Sequence, residues 1–401
     1  MTARAARGRA PVALRVAIVY VIARLVTTGF LLIAAAISGP DSRFGADATL
    51  GSLSMGWDSQ WYWLVATTGY PSTLPLDDAG NVTQNTWAFM PIYPALSRAL
   101  SVVLGGSYPL AAVLLALIAG YAACLALFHL LRERIDATSA LWAVALFTAG
   151  PLGALFQMGY AETLFLALLF LALWALVRRR FFWLYALIPL MGYTRPGVLA
   201  FALLLGLYGI FRWCRRRVDP LPIHEIIHIV ALGLVATAVG FSWQLIAGAV
   251  TGDPSAYMDT ELSWRQGWTG DRESGFVPFS GFIQAAAIWF RLWGLPEALG
   301  YLALALVVLA AGATLLFSRH VRRLGPEIRL WSASYMLYLL AVFFPQSSIF
   351  RLLMPLAPLY GALALPRSTT WRVSMLILGL VGQAWWIHQM LALGNTYAQI
   401  P

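Results

Sequence analysis

Eleven apolar runs, separated by short breaks that carry arginine, set the pattern of this chain. They fall at 14–37, 109–131, 139–156, 160–177, 183–194, 197–213, 226–249, 297–318, 330–344, 352–366 and 373–391. A membrane-crossing helix needs about 20 mostly apolar residues, so several of these runs qualify outright. The runs 183–194 and 197–213 are short for full spans. Arg4, Arg7 and Arg9 precede the first run. Further clusters follow every second crossing: Arg132 with Arg134, Arg178 to Arg180, Arg215 to Arg217, Arg319 with Arg322 and Arg323, and Arg367 with Arg372. Arginine collects in cytoplasmic loops. The alternation therefore predicts an all-α polytopic membrane protein of about 11 spans, with the N-terminus cytoplasmic and the C-terminus outside.

Two stretches interrupt the pattern, and both fall outside in this scheme. The first, 38–108, holds Gly56-Trp57-Asp58-Ser59-Gln60-Trp61-Tyr62-Trp63 and continues to Gly69-Tyr70-Pro71. Its later part, 88–104, cannot be a span without breaking the alternation. Two prolines, Pro91 and Pro94, and Arg98 fit a juxtamembrane helix lying on the outer surface. The second, 250–295, carries Asp253, Asp259, Glu261, Arg265, Asp271, Arg272 and Glu273, and a short amphipathic stretch around Trp289 to Trp293. No internal repeat or separate soluble domain is visible, so 1–401 reads as one integral-membrane domain.

Composition narrows the reading. The chain is 401 residues long, 60% hydrophobic and 11% charged. Its mean hydropathy is +0.73. The formal net charge of +10 would suggest nucleic acid in a soluble protein. Here the arginines lie between apolar runs and set topology, so no nucleic-acid partner is expected. Cys124 and Cys214 are far apart and suggest neither a disulfide framework nor a cysteine metal site. The basic N-terminus leads into a long apolar run without a clear cleavage site, so a retained first span is expected rather than a signal peptide. Arg24 falls inside that span and is expected to face other helices.

The chemistry-bearing residues outside the arginine clusters map to one face. They are Asp58, Gln157, Tyr160, Glu162, Arg195, the 250–295 loop, and Gln346, Ser347, Ser348 and Arg351. Polar groups in or beside spans are costly and usually serve a site. A carboxylate among aromatic rings, as at Asp58, suits a general base acting on a sugar hydroxyl; an aromatic belt at the membrane surface would look the same. Arg195 and Arg351 suit a phosphate through the planar guanidinium, although a snorkelling arginine at a helix end is the plainer reading of each alone. A rival pattern is His224-Glu225-Ile226-Ile227-His228, which matches the H-E-x-x-H of zinc proteases. It opens its run on the opposite face, and no third acidic ligand is evident. A transporter or lipid flippase is a second alternative, but it would be expected to show repeated halves.

Six motifs in order carry a family resemblance. Trp57-Asp58-Ser59-Gln60-Trp61-Tyr62 with Gly69-Tyr70 resembles the W-D-x-x-W/H-Y/F…G-Y signature of the PIG-V-like mannosyltransferases, in the GT-C group of multi-span glycosyltransferases. Phe89-Met90-Pro91-Ile92-Tyr93-Pro94, Gly159-Tyr160-Ala161-Glu162-Thr163-Leu164-Phe165 and Thr194-Arg195-Pro196-Gly197 look like three further motifs of that family. So do Gly252-Asp253-Pro254 with Ala256 and Trp264, and Ser348-Ile349-Phe350-Arg351 through Pro355. Met90 and Phe350 depart from the pattern, at neither charged position.

The resemblance implies a GT-C-type bundle with outer-face juxtamembrane helices. It also implies inverting transfer of mannose from a polyprenyl-phosphate-mannose donor to a lipid-linked or glycan acceptor on the outer face. Asp58 would be the general base, and Arg351 and Arg195 would hold the donor phosphate. Trp57, Gln60, Trp61, Tyr62, Tyr93, Gln157, Tyr160, Glu162, Asp253, Trp264 and Ser348 would contact substrates. Glu162, Tyr160 and Gln157 either order sugar hydroxyls or pair with an arginine. No nucleotide-sugar signature occurs, no cofactor is expected, and arginines can handle a phosphate leaving group without metal. Expected partners are the donor, the acceptor and membrane lipids; the expected location is the cell membrane.

Overall fold

The computed structural model describes residues 10–269, 275–395 and 399. Arg4, Arg7, Arg9, Asp271, Arg272 and Glu273 lie outside the described residues. The protein is an all-helical polytopic membrane protein, and among the described residues extended pairing is confined to one bridge between Leu76 and Val82.

The helices in chain order are α1 (Val12–Ile37), α2 (Leu50–Ser54), α3 (Asp58–Thr68), α4 (Ile92–Val103), α5 (Tyr108–Arg132), α6 (Ala137–Thr148), α7 (Glu162–Val177), α8 (Phe181–Gly192) and α9 (Val198–Cys214). Then come α10 (Ile223–Thr251), α11 (Ala256–Thr269), α12 (Ser280–Leu292), α13 (Glu297–Phe317), α14 (Arg319–Arg322), α15 (Pro326–Val342), α16 (Ile349–Leu352), α17 (Tyr360–Ala364) and α18 (Thr369–Ile387). Among the described residues five helices are long and apolar enough to cross a membrane: α1, α5, α10, α13 and α18 with its extension to Leu393. Shorter apolar helices, among them α6, α7, α8 and α9, fill the bundle between them.

The core lies where α5 and α7 pack together. α5 turns Ala112, Ala116, Ala123 and Cys124 inward without exposure, and α7 adds Leu166, Leu169, Phe170 and Leu173. Small residues let the two backbones approach, which is how helices associate when lipid is the alternative solvent. Tyr20 on α1 donates to the Leu117 carbonyl at 2.8 Å and fixes α1 against this pair.

Two expected runs are not continuous helices. α6 stops at Thr148, and after Gly150-Pro151 the chain re-forms as a 3-10 turn over Gly153–Gln157. Proline has no N–H and clashes with the preceding turn, so the helix ends there. The carbonyls released by the break are used. Arg24 on α1, buried as expected, donates to the carbonyls of Thr148 (2.5 Å) and Gly153. Gln383 on α18 donates to the Gly150 carbonyl at 2.9 Å. The run 352–366 breaks in the same way: Pro355 and Pro358 turn Met354–Leu359 into a 3-10 helix between α16 and α17.

The stretch 88–104 forms α4, whose 12 residues span ~18 Å at 1.5 Å per residue. That falls well short of the ~30 Å hydrocarbon core. It buries Tyr93, Pro94, Ser97 and Ser101 and exposes Val102 and Val103. Arg98 reaches back to the Ala66 carbonyl of α3 at 3.0 Å, so α3 and α4 form one unit over the end of α5.

Helix direction sorts the ends. α7 begins at Glu162 and ends before Arg178, and α10 begins at Ile223, beyond Arg215 to Arg217, and ends at Thr251. One end of the bundle therefore collects Asp58, Glu162, Arg195 and Arg351. The other collects the arginine clusters.

Candidate active site

Asp58 is the first residue of α3, where free backbone N–H groups and the helix dipole favour a carboxylate. The turn into α3 is strained. Trp57 has φ 54 and ψ −124, a conformation that costs a non-glycine residue roughly 1–3 kcal/mol. It is held from two sides. Its indole Nε1 donates to the Met390 carbonyl at 3.2 Å, and the Arg43 guanidinium lies 3.9 Å from its ring. The segment after α18 thus pins the turn that presents Asp58.

Glu162 is likewise the first residue of its helix, α7, and is 1% exposed. The Gly159-Tyr160 approach brings it under α3. The Gly159 N–H donates to the Ser54 carbonyl at 2.9 Å, and a Cβ on Gly159 would sit 2.9 Å from the Met55 sulfur and 3.2 Å from the Ser59 hydroxyl. A side chain at 159 would therefore have to push Met55 and Ser59 aside.

Arg195 sits in the turn between α8 and α9. Thr194 donates its hydroxyl to the Leu190 carbonyl at 2.7 Å, and Gly197 opens α9 at φ 134. Arg351 sits in α16, a single turn between a break at Pro345 and the Pro355–Pro358 segment. Tyr335 on α15 donates to the Leu352 carbonyl and Trp331 to the Pro355 carbonyl, each at 2.8 Å, and these bonds hold the turn in place.

The four charged groups form one chain. Asp58 pairs with Arg351; Arg351 approaches Glu162 at 3.3 Å; Glu162 pairs with Arg195 at 3.0 Å. Side-chain exposure runs from 24% at Asp58 to 11% at Arg351, 10% at Arg195 and 2% at Glu162. Two arginines balance two carboxylates in a largely dry place, and the open end of the chain is Asp58. Tyr160 lies under Arg351, its ring 5.3 Å from the guanidinium carbon.

Several buried polar atoms without a hydrogen-bond partner lie here. Thirteen such side-chain atoms occur among the described residues, and five belong to this site: Gln157 Oε1, Tyr160 Oη, Glu162 Oε2, Trp264 Nε1 and Arg351 Nε. Buried polar groups are nearly always paired in native proteins, so a cluster of unpaired ones marks where a polar ligand fits.

An aromatic wall stands beside the chain. Trp61 stacks on Phe89 at 5.7 Å and meets Trp264 of α11 edge-on at 5.4 Å. Tyr62 packs edge-on against Phe89 and Tyr93, each at 5.2 Å. The Tyr93 hydroxyl is spent on the Ala112 carbonyl at 2.8 Å. Gln157 reaches Thr28 of α1 at 2.6 Å. Gln60 is exposed on α3, and Ser348 is buried just before α16. Asp253 closes the turn between α10 and α11 by accepting from the N–H (2.9 Å) and hydroxyl (2.8 Å) of Ser255. The structure thus brings together Asp58, Arg351, Glu162, Arg195 and Tyr160. It uses Trp57, Tyr93 and Asp253 to hold local structure.

One carboxylate escaped the sequence argument except as a loop charge. Glu261 lies on α11 one turn before Trp264. Burial pushes its carboxyl up to about 7, and the negative charge of Asp58 adds to the shift. Its i, i+3 spacing from Trp264 was the available signal.

Among the described residues no group of three or more His, Cys, Asp and Glu side chains is placed to hold a metal ion. The H-E-x-x-H segment opens α10 at the opposite end. Glu225 is paired with Arg212 at 2.8 Å, and His228 Nδ1 is 3.2 Å from the Tyr185 hydroxyl. The zinc reading finds no third ligand there.

No family model and no curated protein matches the sequence. Similar solved structures include ArnT from Cupriavidus metallidurans bound to undecaprenyl phosphate, with a TM-score of 0.48 at 14% identity over 93% of this chain. The Archaeoglobus fulgidus oligosaccharyltransferase AglB, in complex with an inhibitory peptide and a dolichol-phosphate, gives 0.44 at 14% identity over 92%. The Archaeoglobus fulgidus oligosaccharyltransferase in complex with Zn and sulfate gives 0.46 at 15% identity over 96%. This chain spans 64%, 55% and 53% of those proteins respectively. At these scores the likeness carries no argument about the site, which stands on its own residues.

Proposed function

We propose that the protein is an inverting glycosyltransferase of the GT-C type, similar to the PIG-V-like mannosyltransferases. It moves mannose from a polyprenyl-phosphate-mannose donor to a hydroxyl of a lipid-linked or glycan acceptor. The observation that carries this reading is the buried chain Asp58–Arg351–Glu162–Arg195, ending in a partly exposed carboxylate. Nucleophilic attack on a sugar carbon needs a base on one side and stabilisation of a departing anion on the other. The chain supplies both from one cluster.

In the structure Arg351 is paired with the Asp58 carboxylate. A donor phosphate offers Arg351 a competing and more highly charged partner, and Arg195 lies one carboxylate further along. As Arg351 turns to the phosphate, Asp58 is freed to accept the proton of the acceptor hydroxyl. The hydroxyl oxygen then bonds to the anomeric carbon from the opposite side. The carbon–oxygen bond to the phosphate breaks, and its electron pair leaves with the polyprenyl phosphate. Glu162 keeps both guanidinium groups oriented and limits their combined charge. Preorganised charges of this kind usually supply the largest part of a catalytic barrier reduction. Trp61, Phe89 and Trp264 would offer faces to the sugar or its lipid. The arginine-rich end of the bundle is taken as cytoplasmic by the positive-inside rule, which puts this site on the outer face.

The test is transfer of labelled mannose. Protein in detergent is mixed with polyprenyl-phosphate-mannose and a lipid extract, with Asp58→Asn alongside. Transfer by the wild type and its loss in the variant supports donor, reaction and base together. Transfer only from another polyprenyl-phosphate sugar corrects the sugar and keeps the mechanism. Equal transfer by wild type and Asp58→Asn removes Asp58 from the role of base.

A further inference from the structure

The end of the bundle opposite Asp58 holds a second candidate site. α7 has 16 residues and spans ~24 Å, so its far end is well separated from Glu162. There a cavity of about 330 Å³ is lined by Arg179, Arg180, Phe181, Phe182, Trp183, His224, Glu225 and His228. That volume is at the lower end of the range that takes small ligands.

The three consecutive arginines between α7 and α8 are used differently. Arg178 pairs with Glu133 at 3.0 Å. Arg179 adopts φ 54, uncommon for a residue with a side chain, and pairs with Asp219 at 2.5 Å and Glu225 at 3.6 Å. The Asp219 carboxyl is held below its usual range, first by the Arg179 hydrogen bond. Arg180 makes no ion pair or side-chain hydrogen bond with another described residue, yet it lines the cavity. His224 adds an imidazole without a hydrogen-bond partner among the described residues, and His228 stacks on Phe181 at 5.8 Å. Glu225, the one carboxylate in the lining, is already neutralised by Arg212 at 2.8 Å and Arg179. What remains uncommitted in the cavity is basic.

The rim indicates where the ligand comes from. Phe182 is 80% exposed and Trp183 60% exposed, side by side at the start of α8. Exposed aromatics next to arginines are the usual residues of a membrane–water boundary. A basic pocket between helix ends at that level suits the head group of an anionic lipid.

We propose that this cavity binds a phosphate group carried by an anionic phospholipid, with Arg180 and His224 as its contacts. This goes beyond the transfer reaction and does not depend on it.

The full chain in neutral detergent is titrated with dioctanoyl phosphatidylglycerol, with dioctanoylglycerol, which lacks the phosphate, and with inorganic phosphate. Binding is read as an apparent Kd by thermal shift or native mass spectrometry. Saturable binding of the phosphatidylglycerol only, weakened tenfold or more in Arg180→Gln/His224→Gln, is the expected result. Displacement by inorganic phosphate at equal concentration supports the phosphate site and names free phosphate as an equal source. Equal binding of the two lipids, no saturable binding, or an unchanged Kd in the double variant overturns the proposal. Should the double variant fail to fold, Arg180→Glu replaces it. Arg180 is exposed, and its single reversal must weaken binding at least as much.

Discussion

Arginine–carboxylate chains hold both ends of this bundle: the Asp58 end is largely buried, whereas the opposite end combines exposed pairs with one buried pair, Arg212–Glu225, at 2% and 10% side-chain exposure. At the Asp58 end, Arg351, Glu162 and Arg195 have side-chain exposures of 11%, 2% and 10%. At the opposite end, the Arg178–Glu133 pair is 43% and 29% exposed, and the Arg179–Asp219 pair 40% and 38%. The exposed pairs have water as a ready substitute for a lost partner. The buried chain has none, so removal of one member leaves a charge that neither water nor protein can compensate. Depth sets what breaking a pair costs, and the Asp58 cluster differs from the equally buried Arg212–Glu225 pair at the other end in closing on a partly exposed carboxylate.

The largest expected effect tests what the buried end is for. Asp58→Asn keeps the shape and the helix start but removes the base, and transfer should fall by ~10²–10⁴-fold. The protein should still insert and pack, since Asn at the start of α3 remains a good neighbour for free N–H groups. A variant that retains wild-type turnover would reduce the buried chain to a structural device.

Next is Glu162→Gln, which tests depth directly. It leaves Arg351 and Arg195 without their shared carboxylate at 2% exposure. Breaking such a buried pair costs roughly 3–5 kcal/mol. The denaturation midpoint in detergent should drop well below that of Glu133→Gln, which breaks an exposed pair. A shift no larger than that of Glu133→Gln would mean that water reaches Glu162, and the contrast between the two ends would fail.

How much of this contrast was legible in sequence follows from the physics of each signal. Apolar runs and arginine clusters repeat over long stretches, so the helix directions and the two ends were readable. The motif residues Asp58, Glu162, Arg195 and Arg351 are identifiable in the sequence, and in the fold they meet. Their partnership was not readable, because 293 positions separate Asp58 from Arg351 and only the fold brings them together. The expected runs 139–156 and 352–366 failed as continuous helices because hydropathy outweighed Pro151, Pro355 and Pro358 in the reading. Tyr93 and Trp57, read as substrate contacts, are engaged with the Ala112 and Met390 carbonyls. An aromatic ring with a polar tip looks the same in sequence whether it serves a ligand or a neighbouring backbone.

Glu261 gives a smaller and pH-dependent effect at the buried end. Its carboxyl is raised from the ordinary 4.5 to about 7, chiefly by burial. A raised carboxyl favours the folded state while it is protonated. That contribution is full below about pH 4.5 and is lost as the pH rises through about 7. The wild type should therefore lose ~1–2 kcal/mol between pH 5 and 8 relative to Glu261→Gln, whose stability should be flatter across that window. Parallel curves for the two proteins would place Glu261 in contact with water. Transfer activity measured over the same range would show whether its ionisation beside Asp58 also matters to turnover.

The smallest expected effect completes the comparison from the exposed side. Arg178 and Glu133 sit 3.0 Å apart, and the Trp174 indole also donates to Glu133 at 2.9 Å. Exposed pairs contribute ~0–1 kcal/mol, because each ion is nearly as well solvated apart as together. In a double-mutant cycle, Arg178→Ala and Glu133→Ala should therefore couple by no more than ~0.5–1 kcal/mol, and salt should weaken even that. The same cycle on Arg195 and Glu162 should give several times more and respond little to salt, because screening ions do not enter a buried site. Coupling of equal size for the two pairs would show that exposure to water does not decide what an ion pair contributes here.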